Sequence, residues 1–139
     1  MSIDLVPLAT ATITLADPLF VGDGPAGTRV IIEVDTAEFT GDRLRGAMAG
    51  RASADWLVIN GTVGTLDVRA TLTTHDGALV FVQYGGRTDV TNGPGGAPLY
   101  IAPTFETSDE RYTWLNSIQA VGKGQLDGST LTYEMFELV

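Results

Sequence analysis

Polar side chains that could do chemistry stand beside aromatic residues at three places in this sequence. Asp55 precedes Trp56, Asp67 stands two residues before Arg69, and residues 105–116 read FETSDERYTWLN. A carboxyl group held against an aromatic wall is partly desolvated, which raises its pKa toward the range useful in general acid or base catalysis. These three places predict a small-molecule site in which polar groups meet aromatic walls.

The first place, Asp55-Trp56, provides the candidate acid or base. Adjacent residues of a strand point to opposite faces, so Asp55 and Trp56 cannot both face the same side. Two interpretations stay open. Either Asp55 faces a ligand, or Trp56 is a core residue and Asp55 bonds to amides of the preceding loop.

The second place pairs an acid with a base on one strand face. Asp67 and Arg69 lie in a segment, 65–74, that alternates apolar and polar residues. On an inward face, Arg69 would bind a carboxylate, enolate or carbonyl oxygen while Asp67 orients it. On an outward face, the two would form a solvated ion pair worth at most about 1 kcal/mol. The alternation alone does not say which face points inward.

The third place predicts a short helix near residues 109–117, with Ser108 as its N-cap. At helical spacing Tyr112 and Asn116 share a face, whereas Trp114 points away. Asn116 could then donate a hydrogen bond to a substrate oxygen. The competing interpretation is a helix that plugs one end of the fold and buries Trp114.

The segments that must position these residues have the pattern of strands and tight turns. Seventeen glycines are spread through the chain, and Asp76-Gly77 is a strong hairpin signal because Asp-Gly suits a turn with positive φ. Residues 42–50 predict a strand or an irregular crossing, Asp17-Pro18 and residues 22–27 punctuate a loop between them, and residues 88–98 predict a mobile loop or lid. The predicted strands are 5–15, 29–36, 55–60, 65–74, 78–84, 100–107, 118–125 and 130–138.

This succession of strands predicts an all-β fold in one domain over residues 1–139. No βαβ rhythm occurs, so a closed antiparallel β-barrel or a sandwich is expected. A barrel of about eight strands has an interior wide enough for one small ligand.

Composition excludes several classes of function. The net charge is −9 with only eight Lys and Arg residues, whereas a nucleic-acid-binding protein needs a basic face. The chain has no cysteine and one histidine, so disulfides, thiolate zinc sites and multi-histidine metal centres are excluded. No apolar run approaches the length of a membrane span, and the N-terminal residues lack the pattern of a secretory signal. We expect no membrane association and a cytoplasmic location.

Several separately spaced motifs resemble a known family in their order along the chain. They are DW at 55–56, LDVR at 66–69, THDGA at 74–78, PTFET at 103–107, RYTWLN at 111–116 and VGKG at 121–124. The chain resembles the family known as domain of unknown function 3237 over nearly its whole length. The resemblance implies a small β-barrel, similar in outline to calycins and allene-oxide-cyclase-like barrels, and implies little about function.

Two positions depart from the pattern of that family. Tyr100-Ile101-Ala102 stands where the family often has an arginine, and Tyr84 replaces an asparagine. Both changes would make the barrel interior more aromatic and less cationic. They favour an apolar ligand with one or two oxygens over a strongly anionic ligand.

The sequence therefore predicts a cofactor-independent enzyme acting on a small hydrophobic oxygenated molecule, with no cofactor and no metal. Asp55 would be the acid or base, and Arg69 and Asn116 would polarise oxygen. Isomerisation, cyclisation, a lyase reaction or hydrolytic opening would all be within reach of such a site. The residues expected to contact the substrate are Trp56, Asp67, Tyr84, Tyr100, Tyr112 and Trp114.

Two alternative functions remain open. A lipocalin-like binding protein would capture such a molecule without converting it. A structural domain, forming a homodimer or higher oligomer, would have its interior filled by side chains and expose an apolar patch.

Overall fold

The computed structural model describes all residues, 1–139, and contains eleven β-strands and one 3-10 helix. The helix covers Thr113–Ser117. The strands are β1 Leu5–Leu15, β2 Leu19–Gly24, β3 Gly27–Thr40, β4 Gly46–Met48, β5 Ala54–Asn60, β6 Val63–Thr74, β7 Leu79–Asp89, β8 Leu99–Ile101, β9 Thr104–Glu106, β10 Ala120–Asp127 and β11 Thr130–Leu138.

Eight of these strands form a closed antiparallel barrel, as predicted. Neighbours around the barrel run β6, β5, β3, β1, β11, β10, β8 and β7, and β7 pairs with β6 to close the circle. The three other strands extend this barrel: β2 pairs with β3, β4 with β3 and β6, and β9 with β7.

The two ends of the chain meet at one seam of the barrel. Strand β1 pairs with β11 along nearly its whole length. Beyond the strands, Asp4 N–H donates to Val139 O at 2.9 Å and Val139 N–H donates to Asp4 O at 3.0 Å. The seam is therefore hydrogen-bonded up to the last residue.

Strand alternation divides the side chains between the barrel interior and the outer surface. On β6, Leu66, Val68 and Leu72 are buried while Asp67 and Arg69 are exposed. On β11, Leu131, Tyr133 and Met135 are buried. The burial of these inward side chains against one another supplies the core that stabilises the barrel.

Three local predictions need correction. Residues 19–24 pair with β3 as strand β2, where a loop was expected. The expected strand 100–107 is split into β8 and β9, because Pro103 has no N–H to donate to a neighbouring strand. The helix is a single 3-10 turn that follows Tyr112, without a side-chain cap, so Ser108 is not its N-cap.

No helix in the structure is both long and apolar enough to cross a membrane.

Candidate functional site

One end of the barrel opens into a cavity of about 290 Å³. Most of its lining is hydrophobic, contributed by side chains of all eight barrel strands, such as Val30, Leu57, Leu66 and Leu131. The mouth is bordered by Pro18, Phe20, Pro94, Gly95 and Ser129. This volume falls at the lower edge of typical small-molecule pockets.

Asp55 is the charged side chain placed within the walls of this cavity, whereas the other lining acid, Asp17, lies in the turn between β1 and β2 at the mouth. Burial raises the pKa of Asp55 from its ordinary value of 3.8 to about 6. The Asp67 N–H, donating to Oδ1 at 2.9 Å, opposes this rise in pKa, as does the charge of Arg29. The other carboxyl oxygen, Oδ2, accepts no hydrogen bond from the protein.

The sheet is opened locally to make this arrangement. Strand β5 pairs with β6 at Asp55–Val68 and again at Val58–Thr65, but the two residue pairs between them are not bridged. In that gap the Asp67 N–H donates to the Asp55 carboxylate, and Nη1 of Arg29 donates to Trp56 O at 2.7 Å. Backbone groups that would otherwise bond across the sheet are thereby partnered by side chains.

Two tyrosines form the inner floor of the cavity. The rings of Tyr84 and Tyr133 meet edge to face, with centroids 5.9 Å apart and planes 75° apart. Burial is the main cause that raises the pKa of both phenols. The neighbouring Tyr84 hydroxyl raises the pKa of Tyr133 next, and the Asp55 carboxylate raises the pKa of both. Both phenols are therefore neutral at physiological pH and can donate a hydrogen bond. The buried Tyr133 hydroxyl lies near the Tyr84 hydroxyl but makes no hydrogen bond of good geometry in the protein.

A glycine on the neighbouring strand sets the position of Tyr133. Gly124 of β10 pairs directly with Tyr133 of β11. A Cβ atom at Gly124 would overlap the tyrosine ring. The ring therefore lies against bare backbone, and only glycine permits this approach.

The Gly/Pro-rich loop predicted at 88–98 covers part of the mouth, with Pro94 and Gly95 lining the cavity. Gln125 Nε2 donates to Gly95 O at 3.1 Å. A Cβ at Gly95 would lie 2.6 Å from Leu126 O, so this part of the loop packs closely on β10. In the structure the loop is docked over the mouth.

The second predicted place faces outward. Arg69 and Asp67 lie on the outer surface of β6 with Trp56, and the Arg69 guanidinium stacks 4.9 Å from the centroid of the Trp56 ring. None of the three side chains lines the cavity. The expectation that they contact a ligand there is corrected, because strand alternation that turns Asp55 inward turns Trp56 outward.

Two more predicted wall residues lie away from the cavity. Tyr100 is 54% exposed, and Nζ of Lys123 lies 5.9 Å from its ring centroid. Trp114 packs under Arg43, whose guanidinium lies 5.2 Å from the ring centroid. Neither side chain lines the cavity.

Asn116 and Tyr112 belong to the opposite, closed end of the barrel. The Asn116 side chain accepts from Thr107 N–H and donates to Thr107 O, both at 2.9 Å. The Tyr112 hydroxyl donates to Asp76 at 2.7 Å, and Thr74 donates to the same carboxylate oxygen at 2.6 Å. These bonds hold the 105–116 segment as a plug, as the competing interpretation had it, and Leu115 is fully buried. Trp114, which that interpretation buried, is only partly buried.

Of the predicted site residues, the structure thus brings together Asp55 and Tyr84 in the cavity. Sequence reasoning missed Tyr133, and it missed Arg29 behind Asp55. The alternation Leu131, Tyr133, Met135 marks an inward face and could have indicated Tyr133. The Arg29 contact depends on the gap between β5 and β6, for which the sequence carries no signal.

The family suggested by the sequence motifs is confirmed. The family model described as "Protein of unknown function (DUF3237)" matches residues 3–138, so the chain belongs to this family. No curated protein matches the chain.

Solved structures show the same barrel. A β-barrel-like protein from Acinetobacter baumannii is 29% identical, with a TM-score of 0.90 over 100% of this chain and 98% of the other. A protein of unknown function from Clostridium acetobutylicum is 18% identical, with a TM-score of 0.90 over 99% and 100%. An enzyme from Penicillium herquei is 19% identical, with a TM-score of 0.71 over 99% and 94%. The last two similarities show the fold alone.

Proposed function

We propose that this DUF3237 protein is a cofactor-independent enzyme that moves a proton on a small, hydrophobic, oxygen-bearing molecule bound in the barrel cavity. The observation that carries the proposal is the Asp55 carboxyl group, which stands in a mostly apolar cavity with a pKa of about 6. A pKa near the working pH makes both the acid and the base form available.

The position of Asp55 suits a catalytic acid or base, because one carboxyl oxygen is fixed and the other is free. The Asp67 N–H fixes one carboxyl oxygen, and Oδ2 is left without a protein partner. The opened sheet fixes the carboxylate through backbone, which moves less than a side chain does. Oδ2 is then the oxygen that takes a proton from the ligand or returns it.

The tyrosines supply the polarising groups that the sequence had suggested for Arg69 and Asn116. Neutral phenols donate hydrogen bonds to a carbonyl or enolate oxygen, whose negative charge grows as Asp55 removes a proton. Tyr84 and Tyr133 both line the cavity beside Asp55. Isomerisation, cyclisation, elimination or hydrolytic opening would need only these groups.

The Penicillium herquei neighbour is called an enzyme, which agrees with the proposal in outline only. The lipocalin-like binding function is favoured by one observation, the predominantly hydrophobic lining of the cavity. The purely structural function required a filled interior. The cavity of about 290 Å³ exceeds by far the roughly 30 Å³ that one water occupies in the liquid, so the interior is not filled.

Hydrogen–deuterium exchange into 2-tetralone tests the proton transfer without knowledge of the natural substrate. This ketone is neutral and hydrophobic, and its C–H groups beside the carbonyl are weakly acidic. In D₂O the protein should accelerate exchange at these positions, followed by NMR, and Asp55→Asn should reduce the accelerated rate at least about 100-fold. The exposed Asp127→Asn serves as the matched control and should leave the rate unchanged.

The pH dependence adds a second readout. Because the carboxylate form is the base, the exchange rate should rise with pH and level off above about 6. Exchange that survives Asp55→Asn would refute the assignment of Asp55. Binding of 2-tetralone to the wild type without accelerated exchange would favour the binding-protein function.

Two further expectations belong to the proposal. We expect a cytoplasmic protein and a homodimer or higher oligomer. Strand β2 supports an oligomer because it exposes three consecutive apolar side chains, Leu19, Phe20 and Val21. Light scattering after size-exclusion chromatography measures the mass, and a monomer at all concentrations would remove this expectation.

A further inference from the structure

A second, smaller space lies beneath the tyrosine floor. This inner chamber of about 30 Å³ is lined by Phe39, Met48, Ser53, Ala70 and Met135, among other mostly hydrophobic residues. It shares Tyr84 and Tyr133 with the outer cavity, together with apolar residues of three other strands. The two spaces are therefore neighbours that share part of their lining, including both tyrosines.

Two residues that line the inner chamber carry a buried hydroxyl that makes no hydrogen bond of good geometry within the protein. These groups are Ser53 Oγ and the Tyr133 hydroxyl, and each residue is only 1% exposed. A buried hydroxyl without a hydrogen-bond partner destabilises the folded state, and native structures have few of them. Two such groups on one small space therefore indicate an oxygen-binding position.

Both hydroxyls are held by the fold. The Ser53 carbonyl accepts from Val34 N–H at 3.0 Å, which fixes Ser53 just before β5. The Tyr133 ring is fixed by its contact with the backbone at Gly124. Ser53 Oγ has no protein acceptor. The Tyr133 hydroxyl lies near the Tyr84 hydroxyl but makes no hydrogen bond of good geometry with it, so both Ser53 and Tyr133 can donate to a ligand.

We infer that the inner chamber binds the carbonyl oxygen at one end of an uncharged ligand, whose hydrophobic body fills the outer cavity. This assignment rests on the proposed function in that the ligand is the same molecule whose proton Asp55 moves. A carbonyl oxygen has two lone pairs and accepts from Ser53 and Tyr133 at once.

Volume and charge narrow the ligand class. The inner chamber, about 30 Å³, is much smaller than the outer cavity of about 290 Å³, so it takes the oxygen end of the ligand while most of the carbon framework stays in the outer cavity. No Lys, Arg or His lines either space, and the ionisable acids that line the outer cavity are Asp55 and Asp17. A carboxylate or phosphate would be buried there without a counter-charge, at high cost. Ketones, aldehydes and lactones fit, and organic anions do not.

Binding measurements on matched probes test this assignment. The ketone 2-tetralone, its hydrocarbon counterpart tetralin and the anion 2-naphthoate have similar carbon frameworks but differ in the oxygen group. Titration calorimetry should rank the wild-type affinities as ketone above hydrocarbon, with the anion weakest. Tyr133→Phe and Ser53→Ala should each weaken ketone binding about 3- to 10-fold, as expected for one lost hydrogen bond, and leave tetralin binding unchanged.

Tyr100→Phe and Ser108→Ala remove the same atoms at exposed positions and should leave both affinities unchanged. Equal ketone affinity in the wild type and both inner variants would overturn the assignment, as would equal losses for ketone and hydrocarbon, or no ketone binding by the wild type. This test measures affinity, so its outcome is independent of catalysis. The inner binding site can be refuted while Asp55-dependent exchange persists, and it can be supported in a protein that catalyses no reaction.

A resident water is the other source of an oxygen at this position. Without one, the ligand-free Tyr133→Phe protein should melt at or above the wild-type temperature, because a buried hydroxyl without a partner has been removed. A lower melting temperature together with unchanged ketone affinity would assign the position to water and overturn the ligand site.

Discussion

The closed and open ends of the barrel treat their polar side chains in opposite ways. At the closed end, Asp76 accepts hydrogen bonds from Thr74 and Tyr112 and lies near Arg111, with Nη1 of Arg111 3.4 Å from the second carboxyl oxygen. At the open end, Asp55 has one backbone donor. The same residue type thus ends with a pKa of about 2 at one end and about 6 at the other.

The difference separates structural from functional polar groups. Hydrogen bonds, first from Thr74 and next from Tyr112, lower the pKa of Asp76 and tie the 105–116 plug to the β6–β7 hairpin. At the open end, Asp55 Oδ2 and the Tyr133 hydroxyl make no hydrogen bond of good geometry within the protein. A ligand can take up unused capacity, whereas it cannot compete for groups that are already partnered.

Replacing Asp55 by Asn should stabilise the protein at neutral pH. The rise in pKa from 3.8 to about 6 means that the ionised carboxyl destabilises the folded state by about 3 kcal/mol well above pH 6. For wild type this contribution is absent below about pH 4 and grows as pH rises through 6. Chemical denaturation should therefore show that Asp55→Asn has a higher free energy of unfolding than wild type at pH 8. Near pH 4 the two proteins should have the same free energy of unfolding. A variant less stable than wild type at pH 8 would break the contrast between the two ends.

Replacing Gly124 by Ala should disturb the open end alone. The new Cβ would overlap the Tyr133 ring, and overpacking of this kind costs about 1–3 kcal/mol. The displaced ring should also lower the affinity for 2-tetralone. The double variant Gly124→Ala with Tyr133→Leu should regain stability because the ring is gone. Unchanged stability and affinity in the single variant would show that the ring is not fixed by this glycine.

Replacing Asp76 by Asn should have the opposite sign to the Asp55 change. The lowered pKa of Asp76 contributes stability above pH 4 that is lost as pH falls through about 2. The variant should melt a few degrees below wild type at pH 7, a smaller effect than the two above. Ketone binding should be unaffected, because the site lies at the other end. Loss of binding in this variant would mean that the two ends are coupled.

The fold was largely predictable from the sequence because strand periodicity and turn residues are local signals. The alternation in 65–74 and the Asp76-Gly77 turn gave strand β6 and its hairpin with β7. Strand β2 was not predicted, because the residues that flank it, Asp17-Pro18 and Pro25-Ala26, are turn formers. Its pairing with β3 depends on tertiary structure. Family motifs then selected the barrel.

The site was predictable in part. Asp55 and Tyr84 were named among the site residues, and both line the cavity. Arg69 was misplaced because period-two alternation gives two faces without saying which is inside. Asn116 was misplaced because a 3-10 turn and its bonds to Thr107 replaced the expected helix. The inner hydroxyls depend on which groups remain unpartnered after folding, a property that no short sequence window contains.

The seam between β1 and β11 has a consequence for synthesis. Since β1 needs β11 as its partner, the barrel cannot close until the last strand has left the ribosome. Until then Ala9, Ala11 and Ile13 have no β11 neighbour and stay exposed to chaperones. Because the seam bonds reach Val139, the two ends also lie close enough for a short linker. A circular permutant opened at Gly50-Arg51 would join β11 to β1 through the linker and leave the β3–β5 pairing as the last to close the barrel.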